Sequence, residues 1–164
     1  MRTSLLSFFF LVVLAGVLSC NKDDDDTCPY TDPNVSVPAA EVQAVQAYLT
    51  SKGITNATLD PRGFYYVITT PGSGAVASPC NNITISYVGK LTNDNIFDQT
   101  PVGASRTFLL GQLIPGWIKG IPLVKPGGKI SLYLPPSLGY GSVQNGPIPA
   151  NSVLIFDIDL LNVQ

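Results

Sequence analysis

From Phe64 onward several segments carry apolar residues at every second position, and the segment left between them, Ile114 to Val124, holds Pro115 and Pro122. Successive side chains of a strand point to opposite faces, so period-two alternation builds sheet. Proline inside a helix removes a hydrogen bond and clashes with the preceding turn, so a helix held between those two prolines has one or two turns. Phe64, Tyr66 and Ile68 fall on one face of a strand that a turn at Pro71-Gly72-Ser73-Gly74 ends. Ile83, Ile85 and Tyr87 alternate with Thr84, Ser86 and Val88 in a second strand, and Thr92-Asn93-Asp94-Asn95 has hairpin-turn composition. Arg106 to Leu110 is a short third strand, and Ile130, Leu132 and Leu134 alternate with Lys129, Ser131 and Tyr133 in a fourth. In the last, Leu154, Phe156, Ile158 and Leu160 point one way and Val153, Ile155, Asp157 and Asp159 the other, which predicts one wet face. A mostly antiparallel sheet with one short helix over its apolar face is an α+β architecture.

Upstream the period is helical. Val42, Val45 and Leu49 recur at three and four positions after Ala39-Ala40-Glu41, and the pattern stops at Gly53, which predicts one amphipathic helix of about three turns with a glycine C-cap. Asp23 to Pro38 is polar and proline-rich, the composition of a linker. The chain begins Met1-Arg2, runs apolar from Leu5 to Leu18 except at Ser7, and reaches Ser19-Cys20. That run falls short of the roughly 20 residues that cross a bilayer and reads as the core of a signal peptide. The expected organisation is a signal peptide at 1–19, an acidic and proline-rich tether at 20–38, a short helix and linker at 39–62, and one folded domain at 63–164.

Val17-Leu18-Ser19-Cys20 resembles the lipobox of bacterial lipoproteins, departing from it at Val17. The resemblance implies that Cys20 is acylated, becomes the new N-terminus and holds the protein to a membrane; the alternative is an ordinary signal peptide cut nearby. Asn21-Lys22 and the aspartates 23–26 that follow resemble the export signal of surface lipoproteins, and equally suit a solvated spacer. A lipid-anchored cell-envelope protein, on the periplasmic face of the outer membrane or at the cell surface, is the location implied. Residues 1–19 carry one Arg and no acid, so the remainder has 8 basic and 11 acidic side chains, net −3, which argues against nucleic acid as a partner.

The chain has no histidine. Imidazole acid-base chemistry, histidine triads and histidine metal ligands are thereby removed, and no motif supports a Ser-Lys or two-carboxylate mechanism. Beyond Cys20 only Cys28 and Cys80 remain, too few and too far apart for a zinc site. An even pair in an oxidising compartment predicts a disulfide. No metal and no cofactor is expected. Three Asn-x-Ser/Thr matches, at Asn34, Asn56 and Asn82, are assigned no role.

Six segments fall in register with a known pattern: Tyr87-Val88-Gly89; Phe97-Asp98; Phe108 through Trp117, which reads FLLGQLIPGW; Leu134-Pro135-Pro136 with Tyr140-Gly141; Ile148-Pro149-Ala150-Asn151; and Leu154-Ile155-Phe156-Asp157. Together they resemble the FKBP-type peptidyl-prolyl cis/trans isomerases over residues 63–164. The resemblance implies a curved antiparallel sheet wrapped over one short helix, and between them an apolar cup for a prolyl ring. It places Trp117 at the floor, Tyr87, Phe97, Leu113, Ile114 and Phe156 in the walls, and Ile148 on a loop that closes one side. Tyr87, Asp98 and Tyr140 are the candidate catalytic residues, Tyr140 donating to the substrate carbonyl. Asp98 either orients a neighbouring group or acts on the imide nitrogen through its field. Implied partners are proline-containing polypeptides and, weakly, macrolide inhibitors.

Two departures stand out. Arg106, two residues before Phe108, lies where well-known members carry a rim aromatic, and the loop Ser142 to Pro147 is short. An arginine there predicts a cup with less apolar wall and a preference for an acidic residue near the proline. Three functions compete: an isomerase that assists folding outside the inner membrane, a catalytically weak chaperone or peptide-binding module on the same fold, and a purely structural lipoprotein, which would need no aromatic cup.

Overall fold

The computed structural model describes residues 28–164; the signal segment, Cys20 and the aspartate run lie outside the described residues. Helix α1 (Ala39–Ser51) comes first. It stops as expected: Gly53 takes φ +67°, and the Ile54 N–H reaches back to the Leu49 carbonyl at 2.9 Å. That closing bond puts the apolar side chains of Ile54 and Leu49 in one cluster.

Seven strands follow: β1 (Thr58–Leu59), β2 (Tyr65–Thr70), β3 (Asn82–Leu91), β4 (Ile96–Gln99), β5 (Arg106–Leu109), β6 (Gly128–Leu134) and β7 (Leu154–Val163). All pair antiparallel, in the order β1-β2-β6-β7-β3-β4, with β5 also on β3. β1 escapes the sequence pattern because two residues cannot display a period, and β4 because its two apolar residues, Ile96 and Phe97, are adjacent. The Thr92–Asn95 turn forms the expected hairpin between β3 and β4, with Asp94 at φ +66°.

The concave face of this curved sheet closes on helix α2 (Pro115–Gly120). Pro115 enters at the first helical position, where a missing N–H costs nothing, and Pro122 lies just past its end. Gly116 and Gly120 allow the helix to lie close on β6, since a Cβ at either would come within 2.4 Å of Leu134 and 2.6 Å of Leu132 respectively. Phe64, Ile83, Ile85, Ile121, Leu132, Leu134, Leu154, Ile158 and Leu160 form the core between them, each at most 2 % exposed.

The opposite face is wet only in part. Asp157 and Asp159 pair with Lys90 and Lys129, as alternation predicts. Ile155 and Tyr133, also on that face, are 3 % and 6 % exposed because α1 lays Val45 and Leu49 over them. Alternation describes a strand and cannot show that a helix more than eighty residues earlier will cover it. β2 differs for the same reason: Tyr65 and Val67 join the cluster under α1, while Ile68, expected inside, is 37 % exposed near the strand's end.

Residues 28–38 lack regular structure but lie against the domain. Cys28 and Cys80 form a disulfide with Cα atoms 5.7 Å apart. Val35 and Val37 pack on the main core, and Asp32 accepts from the buried Lys119 Nζ at 2.5 Å. Lys119 also donates to the Pro33 carbonyl at 2.7 Å. A buried ammonium without these acceptors would be costly, so the segment completes α2 electrostatically.

Candidate active site

One cavity of about 350 Å³ opens between the concave face and α2, and every residue proposed from the sequence for the cup lines it: Tyr87, Phe97, Asp98, Leu113, Ile114, Trp117, Tyr140, Ile148 and Phe156. Trp117 is the centre. Its ring meets Tyr87 at 5.1 Å, Phe156 at 5.0 Å and Phe108 at 6.3 Å, all near-perpendicular, and Phe97 stands edge-on to Phe156 at 5.5 Å. Edge-to-face contacts of this kind favour one arrangement of rings over a loose cluster. The approach needs Gly89, where a Cβ would lie 2.7 Å from Phe97 and 2.9 Å from Phe156. Trp117 Nε1 is buried and finds no acceptor among the described residues.

Each wall residue is placed by its element. β3 points Tyr87 inward, and its backbone falls in the gap between β4 and β5, where no strand residue pairs it on that side. Thr100 fills the gap. Its hydroxyl accepts from the Tyr87 N–H at 3.0 Å and donates to the Tyr87 carbonyl at 3.3 Å, and its own N–H donates to that carbonyl at 3.0 Å. Sequence reasoning passed over Thr100, since one threonine in a loop gives no signal until the strand break is seen.

The polar groups gather at one side of the mouth. The Tyr87 hydroxyl donates to Asp98 Oδ2 in a short hydrogen bond. Arg106 Nη1 donates to the Tyr87 oxygen at 3.1 Å and to Asp98 Oδ1 at 3.4 Å, with the guanidinium 6.0 Å from the Tyr87 ring centroid. Burial, and then the Asp98 hydrogen bond, push the Tyr87 phenol up to about 12, so it stays a neutral donor throughout the physiological range. Burial and then the Asp98 charge also raise Tyr140 above the ordinary phenol value.

Arg106 does not line the cavity as an aromatic in its place would. It turns to Tyr87 and Asp98, with which it makes a hydrogen bond and an ion pair. Gln112, Asn145, Gly146 and Pro147 do line the cavity and were not singled out from the sequence as site residues. The last three belong to the short loop, which an Asn145–Ile148 bridge folds back over the opening. Gln112 is steadied from outside the domain, donating to the Tyr30 hydroxyl at 2.8 Å.

A curved sheet closed on one short helix, with an aromatic-floored cup and a hydroxyl-carboxylate pair at its mouth, defines an FKBP-like protein. The sequence pattern of the family described as FKBP-type peptidyl-prolyl cis-trans isomerase matches residues 74–161, and the chain belongs to that family. It is 44 % identical over 104 residues to the FKBP-type peptidyl-prolyl cis-trans isomerase FkpA of Buchnera aphidicola subsp. Schizaphis graminum, covering 62 % of this chain and 41 % of that protein. Among solved structures it resembles FkpA from Escherichia coli, with TM-score 0.69 and 32 % identity over 77 % of this chain and 61 % of the other. It also resembles AtFKBP13, with TM-score 0.61 and 34 % identity over 66 % of this chain and 98 % of the other. The chain spans about two fifths of the length of the curated relatives it matches.

Proposed function

We propose that the protein is a peptidyl-prolyl cis/trans isomerase acting on polypeptides that fold outside the inner membrane. The observation that carries the reading is the convergence on one aromatic cavity of the nine side chains that the family resemblance picks out. Rotation about an Xaa-Pro bond meets a barrier of about 20 kcal/mol, at whose top the amide loses its resonance and much of its charge separation. A dry cup floored by Trp117 and walled by Phe97 and Phe156 favours the twisted, less polar amide over the planar one. Each 1.4 kcal/mol or so taken off the barrier accelerates exchange about tenfold, so contact and desolvation suffice without acid-base chemistry.

Tyr140 donates to the carbonyl of the bound peptide, with Leu113, Ile114 and Ile148 packing on either side of the proline. Of the two roles open to Asp98, the geometry favours orientation: the carboxylate is engaged by the Tyr87 hydroxyl and by Arg106, which offsets much of its field. The same pairing competes with an acidic residue near the proline for Arg106, so that preference is reduced.

The test is cis/trans exchange of Leu-Pro and Phe-Pro peptides, by protease coupling or by exchange spectroscopy. Acceleration by the wild type that falls on replacing Tyr87, Asp98 or Phe156 supports the reading. A wild-type rate equal to the uncatalysed one rejects it and leaves a peptide-binding module. We further propose that acylated Cys20 anchors the protein to the outer membrane. A mature N-terminus whose mass shows an unmodified chain starting elsewhere overturns that anchor.

A further inference from the structure

The segment that matches the family begins at residue 74, and α1 lies before it. Even so, α1 reaches the wall of the cup. Glu41, in the first turn of α1, accepts from the Ser137 N–H at Oε2 and from the Ser137 hydroxyl at Oε1, both at 2.8 Å. Ser137 is the middle residue of a tight turn, Pro136–Leu138, that precedes Tyr140. The Pro136 carbonyl accepts the N–H groups of both Gly139 and Gly141 at 2.9 Å, so the two neighbours of Tyr140 are tied to the residue next to the one Glu41 grips. On the far side the Gly141 carbonyl accepts from the Asn151 N–H at 2.9 Å. Tyr140 itself is 39 % exposed, so packing supplies only part of what holds it.

A carboxylate that takes two donors from one residue fixes orientation as well as distance. We propose that Glu41 is a positioning residue for Tyr140, holding the 136–141 loop so that the Tyr140 hydroxyl stays on the cavity. The kinetic consequence rests on the isomerase reading; the positional one does not. Docking of α1 is a separate matter, because Val45 and Leu49 seat the helix on Tyr133 and Ile155 and take no part in the pair of bonds that Glu41 makes to Ser137.

The experiment compares Glu41→Gln, Tyr140→Phe and the double variant in the full chain. A glutamine amide can still accept from the Ser137 N–H and donate to the Ser137 hydroxyl oxygen, but without the carboxylate's charge both bonds are weaker. Glu41→Gln is expected to lower kcat for a short Leu-Pro peptide about 3- to 10-fold with KM little changed, and to have less than about a two-fold effect once Tyr140 is Phe, because coupled residues are not additive. Amide exchange at Gly141 should quicken about tenfold, as a local opening made easier. Leu49→Ala, which loosens α1 elsewhere, should move either readout by less than about two-fold. Equal factors in both Tyr140 backgrounds, or a Leu49→Ala that reproduces the loss, overturn the proposal. If the wild type accelerates no exchange at all, the isomerase reading fails and Gly141 still decides: faster exchange in Glu41→Gln upholds the positioning role, unchanged exchange ends it. Should Glu41→Gln not fold, Ser137→Ala removes one of the two bonds and is expected to act in the same direction, more weakly.

Discussion

The two faces of the sheet carry the same kinds of residue and come to opposite ends. On the convex side Tyr133 and Ile155 are buried under α1, a helix of 13 residues. On the concave side Tyr87, Phe97 and Phe156 line a cavity beside α2, a helix of 6. At 1.5 Å per residue the first helix covers about 20 Å of sheet and the second about 9 Å. The short helix leaves the aromatic face uncovered at one end, and the prolines at 115 and 122 keep it short. Aromatic residues on a sheet thus become a site where the covering element is cut off, and remain plain core where it is not.

That contrast is open to attack at several points, of which the floor should respond most. Trp117→Ala removes the ring that three others stand against, and is expected to cost about 3–5 kcal/mol in urea unfolding and to abolish measurable turnover. A variant that stays active would show that the cup does not depend on its floor. Under α1, Leu49→Ala should cost about 2–4 kcal/mol by the same measurement while turnover per folded molecule is kept. A parallel loss of turnover would dissolve the distinction between the faces.

Smaller effects separate the two hydroxyls. Tyr140→Phe is expected to lower kcat/KM about tenfold and to change stability by about 1 kcal/mol or less, since the side chain is part-exposed. Tyr87 should report through pH. Its phenol is raised in the fold, so the neutral form is favoured there; that stabilisation is complete below the unfolded value near 10 and disappears as pH climbs through about 12. Denaturation midpoints for wild type and Tyr87→Phe should therefore differ by a constant amount up to pH 10 and converge above it, and a difference that changes between pH 7 and 9 would contradict the assigned proton.

Arg106→Phe has the mildest consequence expected for turnover. It restores apolar rim and should tighten an apolar macrolide by about 1–3 kcal/mol while turnover of short Leu-Pro peptides changes less. Unchanged affinity would place residue 106 off the ligand's path altogether.

Much of the site could be read directly from residue order. Trp117, Tyr87, Phe97, Asp98, Leu113, Ile114, Tyr140, Ile148 and Phe156 follow a spacing that strand alternation and a proline-bounded helix convert into one inward-facing surface. Thr100 and Gln112 could not be found that way, because what they do depends on a break between β4 and β5 and on Tyr30, 82 positions away from Gln112.

By itself the sequence determined the quantities that local rules govern: which side of β3, β6 and β7 is apolar, where α1 ends at Gly53, and how short α2 must be. Steric limits on the backbone act over a few residues and need no partner. Tertiary structure alone decided which surfaces stay wet and which charges are met. Ile155 and Tyr133 are buried because α1 returns across them, Lys119 is tolerated inside because Asp32 arrives from 87 positions away, and Arg106 faces Tyr87 and Asp98 instead of the cup. Burial and electrostatic pairing are sums over neighbours in space, and the chain acquires those neighbours only when it folds.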